Sequence, residues 1–206
     1  RKCSKQGFEL QFAVNHLSHM ALTLKLLPLL SKRKGARIVT VSSGAQYFGK
    51  INWNDLNAEK SYDRWASYAQ SKLANVMFSL ELDSRLKRSN IDILSISAHP
   101  GLARTNLQPT SIAANGCWQE AFAYKLMGPL FQTSSMGARS QLVAATDSNV
   151  KGGEQYGPRF NFAGIPKLCT IAPLALRPKE RQRLWSISEE LISDSVEISL
   201  IKDILC

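Results

Sequence analysis

Apolar residues along the chain follow two different spacings, one typical of strands and one typical of helices. The segments 36–43 and 91–98 are short, rich in β-branched residues and mostly apolar, which is typical of buried parallel strands. Longer segments at about 8–31 and 64–87 carry apolar residues at helical spacing. Strand, helix and strand in this order predict a right-handed βαβ crossover, in which ligands collect at the carboxyl ends of the strands.

The second half of the chain contains weaker signals of the same kind. A third strand is predicted near 156–162, which would complete a three-stranded sheet. Ser134 is a candidate N-cap for the helix that follows it, and Pro178 suits the first turn of another helix that runs to about residue 192. The pattern therefore predicts an α/β protein whose helices flank a parallel sheet.

A phenol and an ammonium lie four residues apart in the second predicted helix, at Tyr68 and Lys72. Residues at this spacing share one face of a helix, and a nearby ammonium favours the charged form of a phenol. A tyrosine in that setting can exchange protons near neutral pH. The same pair also suits an exposed stabilising contact, so the motif alone leaves both interpretations open.

Polar residues follow both predicted strands at their carboxyl ends. Ser42 and Ser43 close the first strand, and because side chains alternate along a strand, only one of them faces the crevice; we assign Ser43 to it. The second strand runs into a turn at Pro100 and Gly101 that leaves backbone groups accessible. Both ends are therefore candidate parts of one binding site.

Four segments, in this order along the chain, resemble motifs of the short-chain dehydrogenase/reductase family. They are 12–17, 38–43, 68–75 and 99–105, with the sequences FAVNHL, IVTVSS, YAQSKLAN and HPGLART. Two more, at 49–57 and 152–158, resemble the branch that contains retinol dehydrogenases and bacterial oxidoreductases. The resemblance covers nearly the whole chain. It implies the C-terminal half of a Rossmann-like doubly wound parallel sheet with flanking helices.

The resemblance implies a catalytic role for each of four residues. Tyr68 would be the general acid/base, and Lys72 would lower its pKa and hydrogen-bond the nicotinamide ribose. Ser43 would bind the substrate oxygen and stabilise developing charge. Asn15 would hold a water molecule that contacts the lysine, as part of a proton relay. The implied reaction interconverts an alcohol and a carbonyl by hydride transfer.

The resemblance also implies residues that bind a nicotinamide cofactor. Besides the tyrosine and the lysine they are Pro100, Gly101, Ala103 and Thr105, expected at the nicotinamide end and at the phosphates. The family favours NADP over NAD slightly, although the segment that decides between the two is absent from the sequence. No metal ligands are implied.

The sequence lacks the glycine-rich phosphate loop with which members of this family open. It starts at Arg1, and its segment 7–15 corresponds to the family's fourth helix. We therefore expect residues 1–206 to be a single partial domain, truncated at its N-terminus, with the dinucleotide-binding strands missing and one strand edge open. The isolated chain is expected neither to bind a dinucleotide tightly nor to turn over.

The segment 107–133, which follows the Pro-Gly turn, mixes aromatic and small residues. One interpretation is a substrate lid that closes over an apolar ligand, and the resemblance places the family's variable substrate loop there. The other interpretation is a core helix. In either case the aromatic content favours a bulky apolar substrate over a sugar.

Composition changes this interpretation little. The formal net charge is +10, but the basic residues are spread along the chain, so we expect no nucleic-acid partner. No stretch is apolar enough for a transmembrane segment. The cysteines, at positions 3, 117, 169 and 206, have no metal-ligand spacing and indicate reduced thiols, which favours a cytoplasmic location. His99, beside the Pro-Gly turn, is expected to be a hydrogen-bonded structural residue, His16 and His19 have no metal partner, and none of the three is assigned to catalysis.

Two functions remain open at this point. The first is an NAD(P)-dependent oxidoreductase acting on a small apolar alcohol or carbonyl, with a homodimer implied for the full-length protein by the resemblance. The second is a non-catalytic truncated protein that retains half of the fold and binds a partner along its open strand edge. The joint presence of Asn15, Ser43, Tyr68 and Lys72 favours the enzyme.

Overall fold

The computed structural model describes residues 1–103, 122, 126, 128 and 131–205. Helix α1 is continuous and has three parts, of which the middle one is π-helical: Leu10–Phe12, Ala13–Leu17 and Ser18–Leu30. The other helices are α2 at Arg64–Arg88, α3 at Ser134–Thr146, α4 at Pro178–Leu191 and α5 at Ile198–Leu205. The strands are β1 at Ala36–Val41, β2 at Ile93–Ala98, β3 at Gln155–Pro158 and β4 at Pro166–Leu168.

The strands form one sheet in the order β1-β2-β3-β4, with the first three parallel. Val41 pairs with Ala98, and Ala98 pairs with Tyr156, so the carboxyl ends of β1, β2 and β3 meet at one edge. The predicted βαβ crossover is present, with α2 between β1 and β2. Two parts of the predicted site, Ser43 and the turn at 100–103, follow β1 and β2 at this edge.

The prediction of a three-stranded sheet is wrong, because the described residues include a fourth strand. After Pro158 the chain turns back, and β4 pairs antiparallel with β3. The turn is closed by a hydrogen bond from the Arg159 N–H to the Ile165 carbonyl at 2.9 Å. Asn161 and Gly164 adopt positive φ angles of 64° and 113° there, which ends the strand earlier than the predicted residue 162.

Helix α2 is the central element of the core. It begins at Asp63, whose side chain accepts a hydrogen bond from the Ala66 N–H at 2.7 Å, as expected of an N-cap. Apolar residues along its length are almost fully buried, among them Leu73, Met77 and Leu82. Because α2 is packed on several sides, its backbone is held in place, and the side chains of its N-terminal half therefore have well-defined positions.

Helix α4 covers the C-terminal half of α2. Phe78 stacks on Trp185 with ring centroids 5.7 Å apart. Beside this stack the buried carboxylate of Glu81 pairs with Arg85 at 2.9 Å and lies 3.8 Å from Arg181. A buried carboxylate of this kind is tolerated because it is paired. The contact with Arg181 joins α4 to α2.

Two smaller features differ from the sequence-based expectations. The N-cap of α3 is Thr133 rather than Ser134, since its hydroxyl accepts a hydrogen bond from the Met136 N–H at 3.2 Å. Helix α5 was not predicted. It is only eight residues long, too short to be stable by itself, and it is held by burial of Ile201 and Leu205.

Candidate active site

Tyr68 and Lys72 lie on one face of α2, as the four-residue spacing predicted. The ammonium nitrogen of Lys72 lies 5.8 Å from the centroid of the Tyr68 ring, and both residues are partly buried. Trp65 packs edge-on against the same ring with centroids 6.4 Å apart. An ammonium at this distance from an aromatic face makes a favourable cation–π contact, so the pair is a defined unit rather than two independent surface groups.

Lys72 is held in position through its backbone. The hydroxyl of Ser42 donates to the Lys72 carbonyl at 2.8 Å, and one turn later the Asn75 amide donates to the Val41 carbonyl at 3.0 Å. These two bonds tie α2 to the end of β1. Burial lowers the pKa of Lys72 below its usual value, because a charged amine is less stable away from water.

Ser43 lies directly after this tie, at the carboxyl edge of the sheet. It is partly buried and forms the N-cap of a short 3-10 helix, Gly44–Phe48, where its hydroxyl oxygen accepts a hydrogen bond from the Ala45 N–H at 3.2 Å. The assignment of Ser43 rather than Ser42 to the crevice agrees with the different burial of the two residues, since Ser42 is only 2% exposed. The hydroxyl hydrogen of Ser43 has no acceptor among the residues that the structure describes, so it is available to a ligand oxygen.

Asn15 connects α1 to the turn of α2 that carries the tyrosine. Its side-chain amide donates to the Ser71 hydroxyl at 3.0 Å, and Ser71 donates in turn to the Tyr68 carbonyl at 2.8 Å. Asn15 lies in the π-helical part of α1, where the Ser18 N–H bonds to Ala13, five residues earlier. Such wide turns are frequent at functional sites because they leave backbone groups outside the regular ladder.

His19 lies one turn beyond Asn15 on α1. Partial burial, followed by the charge of Lys72, lowers the pKa of His19 below its usual value. The imidazole is therefore near enough to the lysine to be affected by its charge. Sequence reasoning set this residue aside, and only the packing of α1 on α2 reveals the proximity.

The turn after β2 contains three of the predicted cofactor residues, Pro100, Gly101 and Ala103. Gly101 has a φ of 69°, and a Cβ there would lie 2.5 Å from the Phe162 carbonyl oxygen, so both the conformation and the space require glycine. Ala103 forms an isolated bridge with Gln132. Thr105, the fourth predicted cofactor residue, lies outside the described residues.

His99 immediately precedes this turn and is fully buried. Its imidazole lies over Gly157, where a Cβ would overlap with Nε2. Burial lowers the pKa of His99 to about 4, so the ring is neutral at physiological pH. Within the described residues neither ring nitrogen has a hydrogen-bond partner, which differs from the hydrogen-bonded structural role expected from the sequence.

The predicted lid falls mostly outside the described residues. Of the segment 107–133, the structure describes Phe122, Leu126, Gly128 and 131–133. Phe122 and Leu126, four residues apart, are both exposed. Gln132 is buried and hydrogen-bonds Pro100, a contact that sequence reasoning missed entirely.

Neither a metal cluster nor a membrane-spanning helix is found in the part of the chain that the structure describes. No three His, Cys, Asp or Glu side chains lie close enough together there to hold a metal ion. None of the described helices is both long and apolar enough to cross a bilayer.

Comparison with known proteins places this geometry in a family. The sequence model described as "short chain dehydrogenase" matches residues 1–115. Retinol dehydrogenase 14 of Homo sapiens is 35% identical over 197 residues, covering 92% of this chain and 54% of that protein. Retinol dehydrogenase 12 of Homo sapiens is 37% identical over 186 residues, covering 90% of this chain and 55% of that protein.

A solved structure shows the same similarity. The crystal structure of an uncharacterized protein from Mycobacterium Paratuberculosis has a TM-score of 0.73 and 36% identity to this chain, covering 92% of this chain and 61% of that one. The chain therefore belongs to the short-chain dehydrogenase family, which consists of oxidoreductases, and it is similar to retinol dehydrogenases. It spans about half the length of the curated relatives it matches.

Proposed function

We propose that this chain is the catalytic portion of an NAD(P)-dependent oxidoreductase that interconverts an alcohol and a carbonyl on an apolar molecule. The observation that carries the proposal is the pairing of Tyr68 with Lys72, with the ammonium 5.8 Å from the ring centroid, on the helix that follows β1. Family membership supports the reaction class. The carboxyl edge of a parallel sheet is also where α/β enzymes bind their ligands.

In this proposal Tyr68 is the acid/base. Its hydroxyl gives a proton to the substrate carbonyl oxygen during reduction and removes it from the alcohol during oxidation. Lys72 supports this role by holding the ring through its ammonium, which lies 5.8 Å from the ring centroid. The bond from Ser42 to the Lys72 carbonyl holds this turn of the helix in position.

Ser43 and Asn15 complete the proposed site. Ser43 follows β1 and donates its hydroxyl hydrogen to the substrate oxygen, where negative charge develops during reduction. Asn15 orients the tyrosine turn through Ser71, to which it donates at 3.0 Å. The proton relay that the resemblance implies for Asn15 remains part of the proposal.

The residues present fit a nicotinamide cofactor. The partly buried ammonium of Lys72 makes no hydrogen bond or ion pair with the described residues beyond its contact with the Tyr68 ring, so it is available to a ribose hydroxyl. Gly101 provides a backbone surface without a side chain. When bound, the cofactor supplies the hydride chemistry. Pro100, Gly101, Ala103 and Thr105 are the further residues proposed to hold it, and the choice between NADP and NAD is left to experiment.

Exposed aromatic residues near the site favour an apolar substrate. Phe160 and Phe162 stack on each other with centroids 6.3 Å apart in the turn between β3 and β4, and both are exposed. That turn contacts Gly101 through the Phe162 carbonyl. Since the curated relatives are named for retinol, we propose retinol and retinal as the first substrates to test.

The proposal is tested with protein expressed from its complete coding sequence. Retinal and reduced cofactor, NADPH or NADH, are incubated with the enzyme, and the retinol formed is quantified by chromatography. Cofactor-dependent product that is lost in Tyr68→Phe supports the proposal. Saturable cofactor binding with no turnover of any apolar aldehyde or ketone would favour a binding protein instead.

A further inference from the structure

The buried side chain of Gln132 joins three segments at the carboxyl edge of the sheet. Its Nε2 donates to the Pro100 carbonyl at 2.5 Å, and its Oε1 accepts from the Gly164 N–H at 3.4 Å. Its backbone N–H donates to the Leu102 carbonyl at 2.9 Å. Gln132 is 6% exposed, so these bonds are shielded from competition by water.

The turn formed by residues 100–103 is otherwise held by its backbone and by close packing. The Leu102 N–H donates to the Phe162 carbonyl at 2.7 Å. Gly137 of α3 packs so closely that a Cβ on it would lie 2.7 Å from the Ala103 Cβ. In the part of the chain that the structure describes, Gln132 is the one residue whose side chain hydrogen-bonds the backbone of this turn.

The bond to the Pro100 carbonyl also orients the Gly101 N–H, which belongs to the same peptide group. A trans peptide is planar, with its carbonyl and its N–H pointing in opposite directions. Because Gln132 holds the Pro100 carbonyl, it also fixes the direction of the Gly101 N–H. Gly101 itself has no side chain to stabilise its conformation, and its φ of 69° lies in a region where glycine is otherwise free to move.

We propose that Gln132 is a positioning residue for the nicotinamide half of the cofactor site: its amide fixes the Pro100–Gly101 peptide and thereby the donor that the turn presents. This inference rests on the proposed function, since the turn is a cofactor element only there. It also connects the end of the predicted lid segment to the cofactor turn, because Gln132 belongs to that segment.

The substitution Gln132→Glu tests the role with little change in shape. A carboxylate still accepts from the Gly164 N–H, but it cannot donate to the Pro100 carbonyl. One of its oxygens then faces the Pro100 carbonyl oxygen, and the two repel each other. The matched control is Gln70→Glu. Gln70 is also 6% exposed and also bridges backbone groups, donating to Leu56 at 3.0 Å and accepting from Asn52 at 2.8 Å.

The measurement is calorimetric titration of protein expressed from its complete coding sequence with two ligands. One is NADPH or NADH, whichever the wild-type protein binds more tightly. The other is the matching ADP-ribose compound, which lacks nicotinamide. For Gln132→Glu, the Kd of the complete cofactor is expected to rise roughly tenfold, the cost of about one lost hydrogen bond. The Kd of the ADP-ribose compound is expected to be unchanged, and Gln70→Glu is expected to change neither.

A second readout uses the acid form of the introduced carboxyl group. Once protonated, that group regains a donor, so the cofactor Kd of Gln132→Glu is expected to recover as the pH is lowered, while that of Gln132→Ala does not. Equal weakening of both ligands would show a general structural defect and overturn the inference. If the wild-type protein binds the cofactor and Gln132→Glu binds it with the same Kd, the inference about Gln132 is overturned and the proposed function stands. If the wild-type protein does not bind the cofactor, both the inference and the proposed function are overturned.

Discussion

The hydroxyl of Ser42 donates a hydrogen bond of 2.8 Å to the backbone carbonyl of Lys72. This bond joins the end of β1 to the helical turn that carries the proposed acid/base pair. It gives two adjacent serines different tasks, since Ser42 is buried and engaged with α2, whereas Ser43 is partly buried and caps the next turn.

The two serines are therefore expected to respond differently to alanine. Ser42→Ala removes the hydrogen bond between the end of β1 and α2, leaves the Lys72 carbonyl only its intrahelical donor, and should lower the free energy of unfolding by about 1–2 kcal/mol. Ser43→Ala should cost about 1 kcal/mol or less, because only a short cap is lost, but lower kcat/KM on the order of a hundredfold. Urea unfolding and steady-state kinetics on both variants measure the contrast. The reverse pattern would contradict the assignment.

Ser71 links Asn15 to the Tyr68 carbonyl, so its removal should separate the two helices locally. Ser71→Ala is expected to lower the free energy of unfolding by about 1–2 kcal/mol, because two partly buried hydrogen bonds are lost. The control is Ser84→Ala on the same helix. Among the described residues, the Ser84 hydroxyl bonds only to the Leu80 carbonyl of its own helix, so its loss should cost less than about 0.5 kcal/mol. Equal costs would show that the link to α1 contributes nothing.

Alanine substitutions at Gly101 and Gly35 distinguish the cost of backbone strain from the cost of a steric clash. Their φ angles are almost equal, 69° and 68°, but a Cβ on Gly35 would meet nothing within 4 Å. Gly35→Ala is therefore expected to cost about 1 kcal/mol. Gly101→Ala adds overlap with Phe162 and Pro158 and should cost roughly 3 kcal/mol or more. Chemical denaturation gives both values, and similar costs would argue against the tight packing of the 100–103 turn.

Acid is expected to destabilise the protein through two buried histidines. Burial lowers the pKa values of His16 and His99 from 6.5 to about 4. The unfolded chain therefore binds more protons than the folded one between these values. Stability is fully present above pH 6.5 and is lost as the pH falls toward 4, by at most about 3 kcal/mol for each group.

The pH dependence is measured by urea unfolding across this window. His99→Asn removes one titrating group, so its free energy of unfolding should fall less steeply with acid than that of the wild-type protein. Parallel curves for the two proteins would show that His99 does not bind a proton on unfolding in this range.

Local patterns predicted the large elements of the fold because each satisfies a local rule. Helix α2 is long and has a capping aspartate, and β1 and β2 are short segments rich in β-branched apolar residues. Helix α5 and strand β4 could not be predicted in the same way. Both are short, and both are stabilised by partners distant in sequence, α5 through Ile201 and Leu205 and β4 through its pairing with β3.

In the candidate site, too, local features could be predicted from the sequence and long-range contacts could not. Tyr68 and Lys72 were recognisable because a four-residue spacing on one helix guarantees a shared face. The contact between Asn15 and Ser71 joins residues 56 positions apart, and that between Gln132 and Pro100 joins residues 32 positions apart. No spacing rule indicates such pairs, so these contacts became visible only in the folded chain, although the family resemblance already implied a role for Asn15.

The central claim is that Tyr68 exchanges the proton with the substrate oxygen, and Tyr68→Phe tests it most directly. In protein expressed from its complete coding sequence, kcat with an apolar carbonyl substrate should fall by roughly 100- to 10 000-fold. The Kd for the cofactor should change by less than about threefold, because the ring and its contact with Lys72 are kept. Tyr62→Phe, at an exposed tyrosine before the same helix, should retain wild-type turnover. Turnover of Tyr68→Phe near the wild-type rate would contradict the account.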